Sequence, residues 1–407
     1  MSQQTSITVA HESMIAGAHI AAAVGRGAQA ARIGALESGG LFEGTGDQAI
    51  DAGTGALFAP KDVHGLAVKN RLAVAPMTRI TATADGLATE TMVRYYERFS
   101  RGGFGTVITE GIYLDRAFSQ GYLYQPGIAD EGQAIAWKSV VKGIKAHGAV
   151  AIAQLMHAGA ISQGNRFRDQ AVGPSAIQPK GTQLAFYHGK GPYALPLQIT
   201  EEQLADAIAS FADAASRAIV IAGFDAVEIH GANGYLLDQF LTEYTNTRSD
   251  RWAGSMKDRM RLIVETFKAV RAKIGPKVPI GVRISQGKVN DFQHKWSGAE
   301  SDAEIIFGTL ADIGADFIHV TEFEAWQPAF AGSHASLMRL AKRFAPKAVI
   351  FANGGRAERA MELLVEFMEP LEVPVGQDRR LTCQDLPRSR SEFGRPHFGS
   401  AAQHGDF

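Results

Sequence analysis

The chain has 407 residues, 45% hydrophobic and 20% charged, with 41 Lys and Arg against 42 Asp and Glu. That balance describes a folded globular protein and leaves no cationic footprint for nucleic acid or an anionic membrane. A single cysteine, Cys383, excludes an internal disulfide framework and any all-cysteine zinc or iron–sulfur site within one chain.

No apolar run reaches the roughly 18 residues of a membrane helix. The first 25 residues hold neither Lys nor Arg, so the basic start of a secretory signal is missing. A reducing cytoplasm is the expected setting. Residues 1–56 are rich in Ala and Gly with few large side chains to bury, and read as an N-terminal extension without a core of its own. They contain "GRGAQA", a G-x-G-x-x-A match at Gly25, Gly27 and Ala30. A dinucleotide-binding unit needs flanking strands, which the short preceding stretch does not supply, so the match reads as coincidence.

From residue 57 strand-like and helix-like segments alternate. Apolar β-rich runs occur at 71–77, 106–111, 149–155, 225–231, 279–285, 316–322, 348–354 and, less clearly, 371–376. Runs apolar on both alternating faces suit parallel strands covered on both sides. Helical patterns separate them. Thr200 and Gln203 form a T-x-x-Q capping box ahead of Leu204, Ile208, Phe211, Ala215 and Ile219 at helical spacing. Ser301 and Glu304 open a second helix in the same way, and Gly314 closes it. Eight strands, each followed by a helix, predict an α/β fold of the TIM (β/α)8 barrel class over 57–387, with an irregular tail at 388–407.

In such a barrel the chemistry sits at the C-terminal ends of the strands. Those ends carry Thr78, Glu110, Gln154 with His157, His230, Arg283, Glu322 and the Asn353-Gly354-Gly355 run. The stretch "EIHGANGYLLDQF" adds Asn233 and Tyr235 at H-x-x-N-x-Y spacing from His230. A lone histidine after a strand reads as structural; with two more polar groups beside it and Arg283 on the next strand, it reads as part of a site.

The segments "LFAPKDVHGLAVKNRLAVAPMTR", "YYERFSRGGFGTVITEG", "QLMHAG", "GFDAVEIHGANGYLLDQFL" and "NTRSDRWAGS" resemble the Old Yellow Enzyme family of FMN-dependent ene-reductases, over about Leu57 to Gly355. The resemblance implies a TIM barrel that binds FMN noncovalently, takes hydride from NADH or NADPH, and reduces the C=C bond of an α,β-unsaturated carbonyl compound. It places Pro76, Met77 and Thr78 along the flavin, Gly111 beneath its ring and Gln154 at its pyrimidine part. It places Arg283 near N1 and O2, where a guanidinium favours negative charge. His230 and Asn233 match the pair that holds the substrate carbonyl oxygen, and Tyr235 matches the proton donor. Asn353, Gly354, Gly355 and Gly376 match the phosphate-binding backbone.

The sequence departs from the family at Met156, where many relatives have Trp, at Ala160, and in the polar segment 283–296, which reads as a rim over the substrate. Two other classes fit the residues less well: a flavin-free, metal-dependent barrel lyase or aldolase using Glu228 with His230, and a catalytically impaired relative. The sequence carries no signal of oligomeric state.

Gln377 stands where the family has a phosphate-binding Arg, with Arg379 and Arg380 close by. Gln377→Arg is expected to tighten FMN about tenfold or more, since a charge-assisted hydrogen bond is worth roughly 1.5–3 kcal/mol. Titration of apo-protein with FMN and with riboflavin checks this. Riboflavin, lacking the phosphate, should not respond, and an equal gain for both flavins contradicts the assignment.

Overall fold

The computed structural model describes residues 57–354. It opens with an antiparallel hairpin, β1 (Lys61–Val63) and β2 (Leu66–Val68), turned by His64 and Gly65 with φ of 49° and 86°. Val63 and Val68 pack on Ile108, Val150, Ile152, Ala226 and Phe317 near the starts of the barrel strands, so the hairpin closes the N-terminal end of the barrel.

The barrel strands are β3 (Ala73–Val74), β4 (Thr106–Ile108), β6 (Val150–Met156), β9 (Ala226–Asn233), β10 (Ile280–Lys288), β11 (Phe317–Thr321) and β12 (Val349–Asn353). Each pairs in parallel with the next, in chain order. A short β5 (Ile112–Tyr113) adds to β6, and β7 (Val172–Gly173) with β8 (Leu197–Gln198) forms a separate pair. This is the TIM barrel expected from the run of apolar segments. The expected eighth strand at 371–376 and both terminal segments lie outside the described residues.

Helices cover the outside, and local signals set their ends. Thr89 caps α1 (Glu90–Arg101) and Asp130 caps α2 (Glu131–Lys145). The predicted capping box forms: Thr200 accepts from Gln203 and Gln203 from Thr200 at the start of α3 (Glu201–Ser216). The short α4 (Leu236–Leu241) follows β9, then α5 (Met256–Arg259) and α6 (Arg261–Ile274). The expected Ser301 cap is corrected. Helix α7 (Ala299–Asp312) starts earlier, with Gly298 as its cap, because Asp302 reaches back to accept the Gly298 N–H at 2.8 Å. Gly314 ends it at φ 77°, as its position suggests. The last described helix is α8 (Leu337–Phe344).

β6 is buried along its whole length, and β9 and β10 nearly so, which explains their runs of Val, Ile and Ala. The interior is filled rather than hollow. At Gly281 a Cβ would come within 1.9 Å of the Phe317 ring, so the glycine makes room for that side chain. Gly281→Ala is therefore expected to destabilise the fold by about 1–3 kcal/mol through overpacking. A urea melt that leaves the midpoint unchanged contradicts this packing.

Candidate active site

Strand register gathers the predicted polar groups. Gln154 lies opposite Glu228, His230 opposite Arg283, and Arg283 opposite His319. Side chains alternate along a strand, so Glu228 and His230, two apart, share the interior face. All five are buried.

Four of them, Gln154, Glu228, His319 and Arg283, join one hydrogen-bonded chain through Asn353. The Gln154 amide donates to Glu228 Oε1 at 2.7 Å, and Glu228 Oε2 lies 2.8 Å from His319 Nδ1. His319 Nε2 lies 2.9 Å from Asn353 Oδ1. Arg283 Nη2 donates to Thr321 Oγ1 at 3.2 Å and to the same Asn353 oxygen at 3.4 Å. Burial works to raise the Glu228 carboxyl, but His319, Arg283 and Gln154 more than offset it and hold the group below its ordinary value. A carboxylate faces one nitrogen of His319 and the Asn353 amide oxygen the other. With its carboxylate committed to Gln154 and His319, Glu228 is poorly placed to ligate a metal beside His230. No cluster of three His, Cys, Asp or Glu side chains among the described residues is arranged to hold a metal ion.

Within this site, Arg283 Nε and His230 Nδ1 are buried polar atoms that no protein group meets. Burial, then the charges of Arg283 and His319, hold His230 well below its ordinary pKa, so it is a neutral ring with one N–H to donate. An unpartnered guanidinium N–H beside a neutral imidazole suits a ligand with acceptors on its edge, as a flavin has.

After β9 the backbone turns left-handed at Asn233 and Gly234, with φ of 61° and 85°. Asparagine and glycine tolerate this region best. The turn brings the Tyr235 ring edge-on to His230, with centroids 4.8 Å apart. The Tyr235 hydroxyl lies 2.7 Å from that of Tyr122. Burial, partly offset by the Tyr122 hydrogen bond, raises the Tyr235 phenol above its ordinary range. It keeps its proton at neutral pH. His230 and Tyr235 thus meet, with Asn233 in the turn between them, and Tyr122 joins them from a loop that carries no motif to single it out.

The remaining predicted residues are placed as follows. Pro76, Met77 and Thr78 are half-buried beyond the end of β3, where the Thr78 carbonyl accepts from Tyr187 at 3.4 Å. Gly111 is buried against Met156, whose Sδ would lie 2.5 Å from an added Cβ, so the methionine requires the glycine. The Asn353 side chain belongs to the network around Arg283. Gly354, at φ 137°, passes so close to the Glu322 carbonyl that a Cβ would sit 1.7 Å from its oxygen. Gly355 and Gly376 lie outside the described residues. His157 is buried, and its Nδ1 accepts the Gly159 N–H at 3.1 Å. Within the expected rim segment the inner residues are buried, while Phe292 stays exposed and meets Phe323 at 5.7 Å between centroids.

Glu110 ties the first strand to the second: it accepts the Arg79 N–H at 2.9 Å and the Tyr96 hydroxyl at 3.2 Å.

A model of the NADH:flavin oxidoreductase / NADH oxidase family matches residues 56–365. Among curated proteins, a probable flavin mononucleotide-dependent alkene reductase of Leishmania infantum is 33% identical over 56% of this chain and 63% of its own length. The chain spans about half the length of most curated relatives it matches. Among solved structures, an old yellow enzyme homologue from Zymomonas mobilis is 30% identical with a TM-score of 0.68, over 77% of this chain and 86% of that one. Morphinone reductase in complex with tetrahydroNAD is 28% identical with a TM-score of 0.66, over 76% and 84%.

Burial pushes the Glu110 carboxyl up to about 7 despite hydrogen bonds from Arg79 and Tyr96. The unfolded chain ionises this group near pH 4.5, so it favours folding below that pH. The benefit is lost as pH rises to about 7 and stays constant above. Glu110→Gln is expected to remove this dependence, gaining on the parent by about 3 kcal/mol between pH 4.5 and 8. Chemical denaturation at several pH values checks it, and parallel curves for both proteins contradict it.

Proposed function

The chain belongs to the NADH:flavin oxidoreductase / NADH oxidase family, the Old Yellow Enzyme group, and from that premise we propose that it is an FMN-dependent ene-reductase acting on α,β-unsaturated carbonyl compounds. The observation that carries the reading is the Tyr235 ring packed on a neutral His230, with Asn233 in the left-handed turn between them, beside a buried Arg283 whose Nε lacks a partner. The Leishmania alkene reductase and the morphinone reductase solved with a nicotinamide analogue support the substrate type and the hydride donor.

Bound FMN would supply the redox chemistry, a path for hydride from NADH or NADPH to the β-carbon of the substrate. Arg283, Gln154, Thr78 and Gly111 are the residues to hold its ring. Arg283 contributes a fixed positive charge and a free donor, and the Asn353–Gly354 backbone lies at the strand end suited to the phosphate side. His230 and Asn233 donate to the substrate carbonyl oxygen. Negative charge grows on that oxygen as hydride arrives, so fixed donors bind the transition state better than the ground state. His230 serves as a neutral donor, since burial and the nearby Arg283 charge disfavour its protonated form. Tyr235 gives its phenolic proton to the α-carbon. The Tyr122 hydroxyl, already within hydrogen-bond distance, can then donate to the Tyr235 oxygen and stabilise it until a proton is regained. A metal-dependent lyase reading gains no support from the geometry of Glu228.

His230→Ala and Asn233→Ala are each expected to slow enone turnover by about 10²-fold, the usual cost of one oxyanion donor. Tyr235→Phe should slow reoxidation of the reduced enzyme by an enone roughly 10²–10⁴-fold. Its reoxidation by molecular oxygen, which needs no carbon protonation, should change little. Rapid-mixing spectrophotometry separates the two; equal slowing with both oxidants would mean that the substitution disturbs the flavin site instead.

A further inference from the structure

One buried ion pair has no part in the reading above. Lys288 ends β10, Asp238 lies in α4, and Lys288 Nζ is 2.6 Å from Asp238 Oδ1 with the side chains 1% and 0% exposed. A pair buried this completely stabilises a fold no better than apolar side chains of the same volume. Its use lies in what it holds.

Asp238 Oδ2 accepts the Gly234 N–H at 2.6 Å. The other backbone groups of the left-handed turn are also fixed. The Asn233 N–H donates to Ser285 Oγ at 2.8 Å, and the Asn233 carbonyl accepts from Val289 at 3.1 Å. The Gly234 carbonyl accepts from the Gln239 amide at 2.7 Å. Lys288 stands directly opposite Asn233 in the strand register, so the pair sits against the turn itself. A Cβ at Gly234 would lie 2.8 Å from Asn290 Oδ1 and 3.2 Å from Lys288 Cβ, which leaves the turn little freedom on this side. Burial pushes the Asp238 carboxyl up, and the Lys288 ammonium is the main influence opposing it.

We propose that Lys288 is a positioning residue for the reduction: paired with Asp238, it locks the Asn233–Gly234 turn and thereby aims the Asn233 amide and the Tyr235 hydroxyl at the substrate. This rests on the roles given to His230, Asn233 and Tyr235 above. Lys288→Met leaves a buried carboxylate without its counter-charge, and Asp238→Asn leaves a buried ammonium facing an amide NH2. Each loosens the clamp on Gly234. The double variant Lys288→Met/Asp238→Asn is neutral, and its asparagine oxygen can still accept the Gly234 N–H, so it should recover most of what either single variant loses.

The test compares flavin-loaded parent, both single variants, the double variant and Asn233→Ala, with rates expressed per bound flavin. In the single variants reoxidation by cyclohexenone should fall about 10²-fold, the scale of a small misplacement of reacting groups, with reoxidation by oxygen unchanged. Amide hydrogen exchange in the peptide spanning Gly234 should rise about tenfold or more as the local turn opens, and return toward the parent level in the double variant. Equal losses with both oxidants would make the pair merely structural, and parent-like cyclohexenone rates in the single variants would make it irrelevant to positioning. Either result overturns the proposal while leaving the Asn233 assignment intact. If Asn233→Ala also reacts like the parent, the functional reading fails, and the positioning role fails with it.

Discussion

The guanidinium of Arg283 is buried at the mouth of the barrel, and the surrounding arrangement follows from how that charge is held. Removing such a group from water costs several kcal/mol unless opposite charge and hydrogen bonds compensate. Glu228 supplies the charge, and the Thr321 and Asn353 side chains supply acceptors. Glu228 is in turn fixed by Gln154 and His319, so five strand ends are linked through one network. The Nε of the guanidinium is buried with no acceptor in the protein to meet it. A site that binds an electron-rich ring edge and stabilises negative charge follows from that imbalance.

The second constraint is the handedness of the chain after β9. Had the backbone left His230 in an ordinary extended or helical conformation, Tyr235 would not return toward it. The left-handed pair at Asn233 and Gly234 reverses the path within two residues, and α4 then begins at once. The conformation is costly for asparagine alone, and hydrogen bonds from β10 and α4 hold it. The network around Arg283 and this turn are thus two separately held parts of the candidate site: one fixes a buried positive charge, the other sets Tyr235 beside His230.

The barrel was legible because its strands are short apolar runs at regular spacing, and because Thr200, Gln203 and Gly314 mark helix ends by local chemistry alone. The H-x-x-N-x-Y run was legible for the same reason, since its spacing is set within one strand and one turn. Other features depend on distant pairings. His319 is a single polar residue inside an apolar strand, and only its register against Arg283 reveals a role. Tyr122 and Tyr235 are 113 residues apart, and Lys288 and Asp238 are 50 apart. The Ser301 cap failed because the helix already starts at Ala299, where Asp302 accepts the Gly298 N–H and the Ser301 hydroxyl donates to the Gly298 carbonyl. The hairpin beneath the barrel went unread because two three-residue strands give too little alternation to register.

In the proposed function, hydride reaches the β-carbon from a nicotinamide by way of bound flavin, while a protein phenol delivers a solvent-derived proton to the α-carbon. Analysis of the product by proton and deuterium NMR, after turnover of a cyclic enone with nicotinamide deuterated at C4, tests it directly. The account predicts the label at the β-carbon in ordinary water and, in a parallel reaction with unlabelled nicotinamide in D2O, deuterium at the α-carbon. Product labelled at neither position, or turnover that persists after FMN is removed, would contradict it.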